Sequence, residues 1–321
     1  MTNADAVSKS VPPKDSRVEN RDQRKAFRAY MNLFENSDKD IRLEAGPHCI
    51  LMLHGLGSGP LELAQLAKDA HLEGFSVWVP SIDGYCFGRD LKKWSLWQEQ
   101  IQEMYWAASE QYETVSVVGL SMGATLAMLL AQHEHPTANV FLASALAYDG
   151  WAMPWYRFLF PLAPWIPFSS RYRYAEREPF GVKNEQTRAM VKRMLDLNQI
   201  SEIGAASLSL AQLREGHALM RHVKERMADI QTPSLFIHAV DDESVHVRNA
   251  ETAFDAISST EKKFIYLGDS YHIITIDNER ETVREQTLRF IKKNINREKG
   301  ENLFEIPETI SPELRRYLTS K

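Results

Sequence analysis

The sequence predicts an α/β protein, a mostly parallel, doubly wound sheet with one long excursion inserted before its last strands. Three observations carry that reading. Short apolar runs rich in β-branched residues alternate with segments of helical periodicity, the pattern of a parallel sheet covered on both faces. The alternation stops at Tyr148 and resumes at Ser234. One strand-like run, Thr114 to Val118, ends in Gly119-Leu120-Ser121-Met122-Gly123 and leads at once into an apolar helix.

Residues 1–40 read as an extension. The first twenty or so are polar, contain Pro12-Pro13, and are expected to be disordered. Arg21 to Phe34 could form a short helix with Phe27, Tyr30, Met31 and Phe34 on one side. The core is expected over 41–147 and 210–297. His48 to Leu53 is a continuous apolar strand, broken by His54-Gly55-Leu56-Gly57-Ser58-Gly59-Pro60. Leu61 to His71 has helical periodicity, Phe75 to Val79 is a strand closed by Pro80, and Leu91 to Tyr112 is a long amphipathic helix. Val140 to Leu146, Ser234 to Val240 and Lys262 to Leu267 are further strands, and Glu279 to Ile295 is the last helix. Residues 298–321 form a charged, weakly apolar tail.

The excursion, 148–209, is rich in proline and aromatic residues. Trp155, Phe158, Leu159, Phe160, Trp165 and Phe168 form a dense apolar set, which suggests a cap over a site or transient contact with a membrane surface. The four prolines from Pro154 to Pro167 exclude one straight membrane-spanning helix.

With 321 residues, 44% of them hydrophobic, the chain can bury a large core. A net charge of −5 and the absence of a basic run argue against nucleic acid as a partner. The N-terminus lacks the basic and apolar regions of a signal peptide. Cys49 and Cys86 are the only cysteines, too few for a disulfide framework or a zinc site, so a reduced, cytoplasmic setting is expected. Oligomeric state is not legible.

Strand, Gly-x-Ser-x-Gly turn and helix together form a nucleophile elbow, which makes Ser121 the candidate nucleophile. A serine hydroxyl needs a base within hydrogen-bond reach, and that base needs a carboxylate to hold its tautomer. On such a fold the chain order is serine, acid, histidine, with the last two on loops after late strands. Ser234 to Val240 runs into Asp241-Asp242-Glu243-Ser244-Val245, and Lys262 to Leu267 runs into Gly268-Asp269-Ser270-Tyr271-His272. His272 is the expected base. Asp241 and Asp242 both follow their strand and are not separated by chemistry alone. The one that points away, with Glu243, is expected to be a solvated loop carboxylate. An oxyanion hole needs backbone N–H groups aimed at the developing charge. Met122, after the nucleophile, is one candidate donor, and Leu56, in the glycine-rich loop, is the other. Gly55 allows close approach of substrate, and His54 is expected to brace the loop from within.

These residues resemble the α/β-hydrolase superfamily, and within it bacterial carboxylesterases and monoacylglycerol lipases with a small cap. The likeness rests on Leu51-Met52-Leu53-His54-Gly55-Leu56, Trp94-Ser95-Leu96-Trp97, Gly119-Leu120-Ser121-Met122-Gly123, Asp242-Glu243-Ser244-Val245 and His272-Ile273-Ile274-Thr275-Ile276-Asp277, across roughly 48–292. It favours Asp242, with Val245 three residues on, as the acid. Tyr271 stands where glycine is common. The resemblance implies hydrolysis of carboxylic esters through an acyl-enzyme, without metal or organic cofactor. Acyl transfer, thioester hydrolysis and a non-catalytic binding role are the alternatives. The aromatic excursion suggests an apolar, lipid-like acyl group, with Trp155 and Phe158 as candidate substrate contacts.

Overall fold

The computed structural model describes residues 39–87, 90–153, 173–175, 178–198, 200–201, 204–205 and 207–298. In chain order these form β1 (Ile41–Leu43), β2 (His48–Leu53), α1 (Ala64–Leu72), β3 (Ser76–Val79), α2 (Trp94–Gln111), β4 (Thr114–Leu120), α3 (Met122–Ala131) and β5 (Asn139–Leu142). Then follow β6 (Arg173–Ala175), α4 (Glu185–Asn198), β7 (Ile200–Ser201), β8 (Gly204–Ala205), β9 (Ser207–Ser209) and α5 (Leu210–Lys224). The last elements are β10 (Ser234–Ala239), α6 (Arg248–Ala256), β11 (Lys262–Leu267) and α7 (Arg280–Glu298).

Seven strands form one sheet in the order β1-β3-β2-β4-β5-β10-β11. β1 is antiparallel to β3, and the other neighbours are parallel. Every residue of β2 is buried, as a strand covered on both faces requires. Cys49, Leu51 and Leu53 enter one apolar cluster, and Ile50 and Met52 enter the other. On the first face lie Trp97, Ile101 and Tyr105 of α2, every residue of α3 except Gly123 and Thr125, and Leu219, Met220 and Val223 of α5. On the second lie Leu66, Ala67 and Ala70 of α1 and Val283, Leu288, Ile291 and Ile295 of α7. The sheet is therefore doubly wound, and α3 is buried all round because it is apolar all round.

Several elements differ from the sequence reading. β5 stops at Leu142, because Ala143 takes φ 44° and leaves the ladder. Leu61 to Leu63 belong to a 3₁₀ turn that precedes α1. β1 is a three-residue edge strand too short to show periodicity. α6 buries little beyond Asn249, Ala250 and Ala253, so its apolar signal is weak. Among the described residues of 148–209, none joins the large sheet. β6 pairs with β9, and β7 with β8, as separate two-stranded sheets. The chain returns to the body at Ser209, whose side chain and Gln212 cap α5 reciprocally.

Strand register decides which loops meet. Leu53 pairs with Gly119, so the loop after β2 lies beside Ser121. Ala239 pairs with Leu267, so the loops holding Asp242 and His272 leave the sheet together. The strand order reverses around β2 and β4, and the crevice at the carboxyl ends of strands at such a switch point is where ligands bind in open α/β sheets.

The turn after β4 is tight. Ser121 has φ 57° and ψ −118°, a region L-residues rarely occupy. A Cβ added at Gly119 would lie 2.2 Å from the Gly123 carbonyl oxygen, and one at Gly123 would lie 2.0 Å from the Leu53 carbonyl oxygen. Both neighbours are backbone and neither can rotate away. Gly123→Ala is therefore expected to cost about 3 kcal/mol or more, a fall in Tm on the order of 5–10 °C. Thermal unfolding followed by circular dichroism measures it, and an unchanged Tm would contradict the close approach.

Candidate active site

Ser121, Asp242 and His272 come together. The Ser121 hydroxyl donates to His272 Nε2 across 2.8 Å, and His272 Nδ1–H donates to Asp242 Oδ2 across 2.7 Å. The hydrogens follow from the network, since Nδ1 faces a buried carboxylate. The other Asp242 oxygen, Oδ1, accepts the backbone N–H groups of Ser244 (2.9 Å) and Val245 (2.8 Å). His238, near the end of β10, places Nε2 3.1 Å from Asp242 Oδ2 and 3.1 Å from the Val245 carbonyl. Burial alone would raise the Asp242 pKa. The His272 charge and hydrogen bonds from His238 and His272 outweigh burial and hold the carboxyl well below the usual range. Burial likewise disfavours the His272 imidazolium, but the charge and hydrogen bond of Asp242, then the charges of Glu243 and Glu62, raise it to about 9.

Asp241 takes the rim instead. Its side chain is 58% exposed and lies 3.4 Å from Lys183 Nζ. Lys183 also reaches Asp269 at 3.4 Å. Trp151, 62% exposed, donates its indole N–H to the Asp241 carbonyl at 3.1 Å and meets Tyr271 edge-on at 5.9 Å.

The Leu56 peptide is held from both sides. The Gly55 N–H donates to Glu62, and the Gly57 N–H donates to the Tyr85 carbonyl at 3.1 Å. Gly57 needs its φ of 70° here, and Leu208 of β9 packs where a Cβ would sit. His54 is fully buried, and its Nδ1 lies 2.9 Å from the Gly55 carbonyl oxygen, in keeping with a bracing role. Gly55, Leu56 and Met122 line one cavity with Ser121 and His272, next to Tyr148, Met153, Phe180, Leu208 and Leu213. Trp155 and Phe158 lie outside the described residues.

The sequence reading of Glu243 needs correction. It is not a solvated loop carboxylate but 4% exposed, and its Oε2 accepts the His272 N–H at 3.1 Å. Burial, then the charge of Asp242, pushes it up to about 7. Glu62, equally buried, is also pushed up to about 7 by burial. Asp277 had no assigned role, yet its fully buried carboxylate accepts the backbone N–H groups of Tyr271, Lys183 and Asn184 at 2.8 Å and of Asn278 at 2.9 Å. Glu279 accepts those of Gly268 (3.2 Å) and Asp269 (2.7 Å). None of these acids shows in the sequence as other than an ordinary charge near a loop. Their signal is position alone: Glu243 adjoins Asp242, and the others follow His272 or Leu56 by a few residues. Among the described residues, no group of three or more His, Cys, Asp or Glu could hold a metal ion, and no helix is long and apolar enough to cross a membrane. Cys49 and Cys86 are buried free thiols.

Fold and site geometry together are those of an α/β-hydrolase. Residues 47–280 match the family model described as serine aminopeptidase, S33, and the chain belongs to that family. It is similar to the thermostable monoacylglycerol lipase of Bacillus sp. (strain H-257), at 28% identity over 78% of this chain and 93% of the relative. It is also similar to a carboxylesterase of Bacillus subtilis (strain 168), at 18% identity over 79% and 96%. Among solved structures, the monoacylglycerol lipase of Paleococcus ferrophilus superposes with a TM-score of 0.66 at 15% identity, over 79% of this chain and 98% of the other. A metagenome-derived lipolytic enzyme gives 0.67 at 21% identity, over 80% and 98%. At these identities the structural likeness speaks for the fold.

Removing the Asp277 carboxylate leaves several backbone N–H groups without their acceptor, at about 1–3 kcal/mol for each that stays buried. Asp277→Ala is expected to destabilise the protein by about 3 kcal/mol or more in urea unfolding, and to lower turnover at temperatures where it remains folded. Wild-type stability would show that Asp277 does not tie these loops.

Proposed function

We propose that the protein is a serine hydrolase of carboxylic esters with apolar acyl chains, of the carboxylesterase or monoacylglycerol lipase kind. The observation that carries this reading is the continuous hydrogen-bonded chain Ser121–His272–Asp242 at the edge of an apolar cavity. Ser121 attacks the acyl carbonyl while His272 Nε2 takes its proton. Asp242 holds the Nδ1–H tautomer and stabilises the imidazolium. The N–H groups of Leu56 and Met122 receive the oxyanion, Met122 from the N-terminus of α3. His272 then protonates the leaving alcohol, and water attacks the acyl-enzyme by the same route. Residues 148–209 act as a cap, a role supported by Tyr148, Met153, Phe180 and Leu208 lining the cavity.

A fluorophosphonate probe is expected to label the wild type and not Ser121→Ala. Turnover of p-nitrophenyl esters should fall by on the order of 10³–10⁴ in Asp242→Asn, which leaves His272 in the wrong tautomer. An aminoacyl p-nitroanilide in the same screen separates ester from aminopeptide cleavage, and preference for the anilide would overturn the ester reading. The pH profile supplies a further check. Only neutral His272 accepts the serine proton, and its pKa is raised, so kcat/KM should climb with pH through a midpoint above the usual histidine value of about 6.5. A midpoint below that value would show that the neighbouring carboxylates do not act on His272.

A further inference from the structure

Glu243 is a buried acid that the ester chemistry leaves without a task. It lines the cavity with Ser121 and His272. One carboxylate oxygen accepts the backbone N–H of His272 at 3.1 Å, and the other accepts the Ser244 hydroxyl at 2.8 Å. Its carbonyl accepts the N–H of Ala152 at 2.9 Å, and Gly150 approaches so near that a Cβ there would lie 2.2 Å from the same carbonyl oxygen. One residue thus touches the acid loop, the base loop and the first turn of the excursion. A carboxylate stripped of water beside Asp242 is unfavourable for stability, and a neutral side chain of the same shape would fold more readily. Stability alone does not account for an acid at this position.

We propose that Glu243 is a positioning residue for ester cleavage, clamping the main chain of His272 while its charge joins that of Asp242 in stabilising the imidazolium. This rests on the serine hydrolase reading of the site. The charged groups facing His272 are Asp242 and Glu243 on the acid loop and Glu62 from the turn before α1. Lys183, with Asp241 and Asp269, lies at the rim. The two parts of the role are separable. The clamp needs an acceptor oxygen, which glutamine retains. The electrostatic part needs a charge, which glutamine lacks.

The test compares Glu243→Gln and Glu243→Ala with wild type. In Glu243→Gln, kcat on the alkaline plateau should stay within about threefold, while the acidic limb of kcat/KM moves to lower pH by roughly half a unit or more, because the imidazolium has lost a neighbouring anion. In Glu243→Ala, which also loses the clamp, kcat should fall by about tenfold or more at every pH with KM little changed. Glutamine should therefore rescue most of the alanine loss. The same variants labelled with ¹³C at histidine Cε1, with His272 assigned through His272→Gln, report the imidazole titration without any turnover. A downward midpoint in Glu243→Gln supports the proposal even if the ester substrates are wrong. Absence of turnover with a normal shift speaks against the ester reading alone. An unmoved NMR midpoint, or wild-type kcat in Glu243→Ala, overturns the proposal. Should Glu243→Ala unfold, the glutamine midpoint decides.

Discussion

Gly123 lies so close to the end of β2 that the Leu53 carbonyl occupies the space of any side chain. This contact sets the distance between the elbow and the loop after β2. Gly119, near the end of β4, repeats the constraint against the Gly123 carbonyl. Between them Ser121 is forced to a positive φ, its hydroxyl meets His272, and the first N–H groups of α3 have no acceptor within the helix. The candidate nucleophile and one candidate oxyanion donor, Met122, are then held by the same turn. The loop of the other candidate donor, Leu56, is brought beside them by the register that pairs Leu53 with Gly119. Strain at one residue is maintained because the buried α3, packed among the apolar side chains of the first face, cannot retreat.

His272, the candidate base, is placed by different means. β10 and β11 bring two loops to one end, but loops need internal anchors. Carboxylates provide them. Asp242 gathers N–H groups of its own loop, and Asp277 and Glu279 gather those of the base loop. Glu62 does the same for Gly55. The site is therefore built from buried and half-buried carboxyl groups that accept main-chain donors, and only one of them faces the imidazole Nδ1 directly. A carboxylate with several N–H partners stays ionised despite burial, as Asp242 does. Glu62 and Glu243 have fewer partners and are pushed toward neutrality, Glu62 by burial and Glu243 by burial and then the charge of Asp242. The contrast follows from partner number and, for Glu243, from the neighbouring charge of Asp242.

What was legible in the sequence follows the same division. Strands such as His48–Leu53 announce themselves because both faces are buried, and Gly119 and Gly123 because only glycine fits. The meeting of Ser121 with His272 was legible because a chemical rule orders serine, acid and histidine along the chain. Asp241 and Asp242 were not separable without a resemblance, since the choice depends on how the chain leaves β10. Glu243 was misread because a charged loop residue is normally solvated, and nothing local reveals that Gly150 and Ala152 close over it. The short β1 and α6 escaped because few of their residues face a core.

The excursion and the base loop are not independent. The Ile273 N–H donates to the Gly181 carbonyl at 2.8 Å, and Gly181, at φ 72°, leaves no room for a Cβ against Ile273. Asp277 binds N–H groups of both segments with one carboxylate. Phe180 and Gly181 line the cavity, as do His272 and Ile273. A change in the excursion that reshapes the cavity near Phe180 therefore pulls on the loop that carries His272. Substitutions there should alter turnover along with substrate choice, whereas changes at Leu208 or Leu213, reached from the opposite end of the excursion, act on the cavity without this shared anchor. Selectivity for the acyl group can vary freely only where the wall is not also the support of His272.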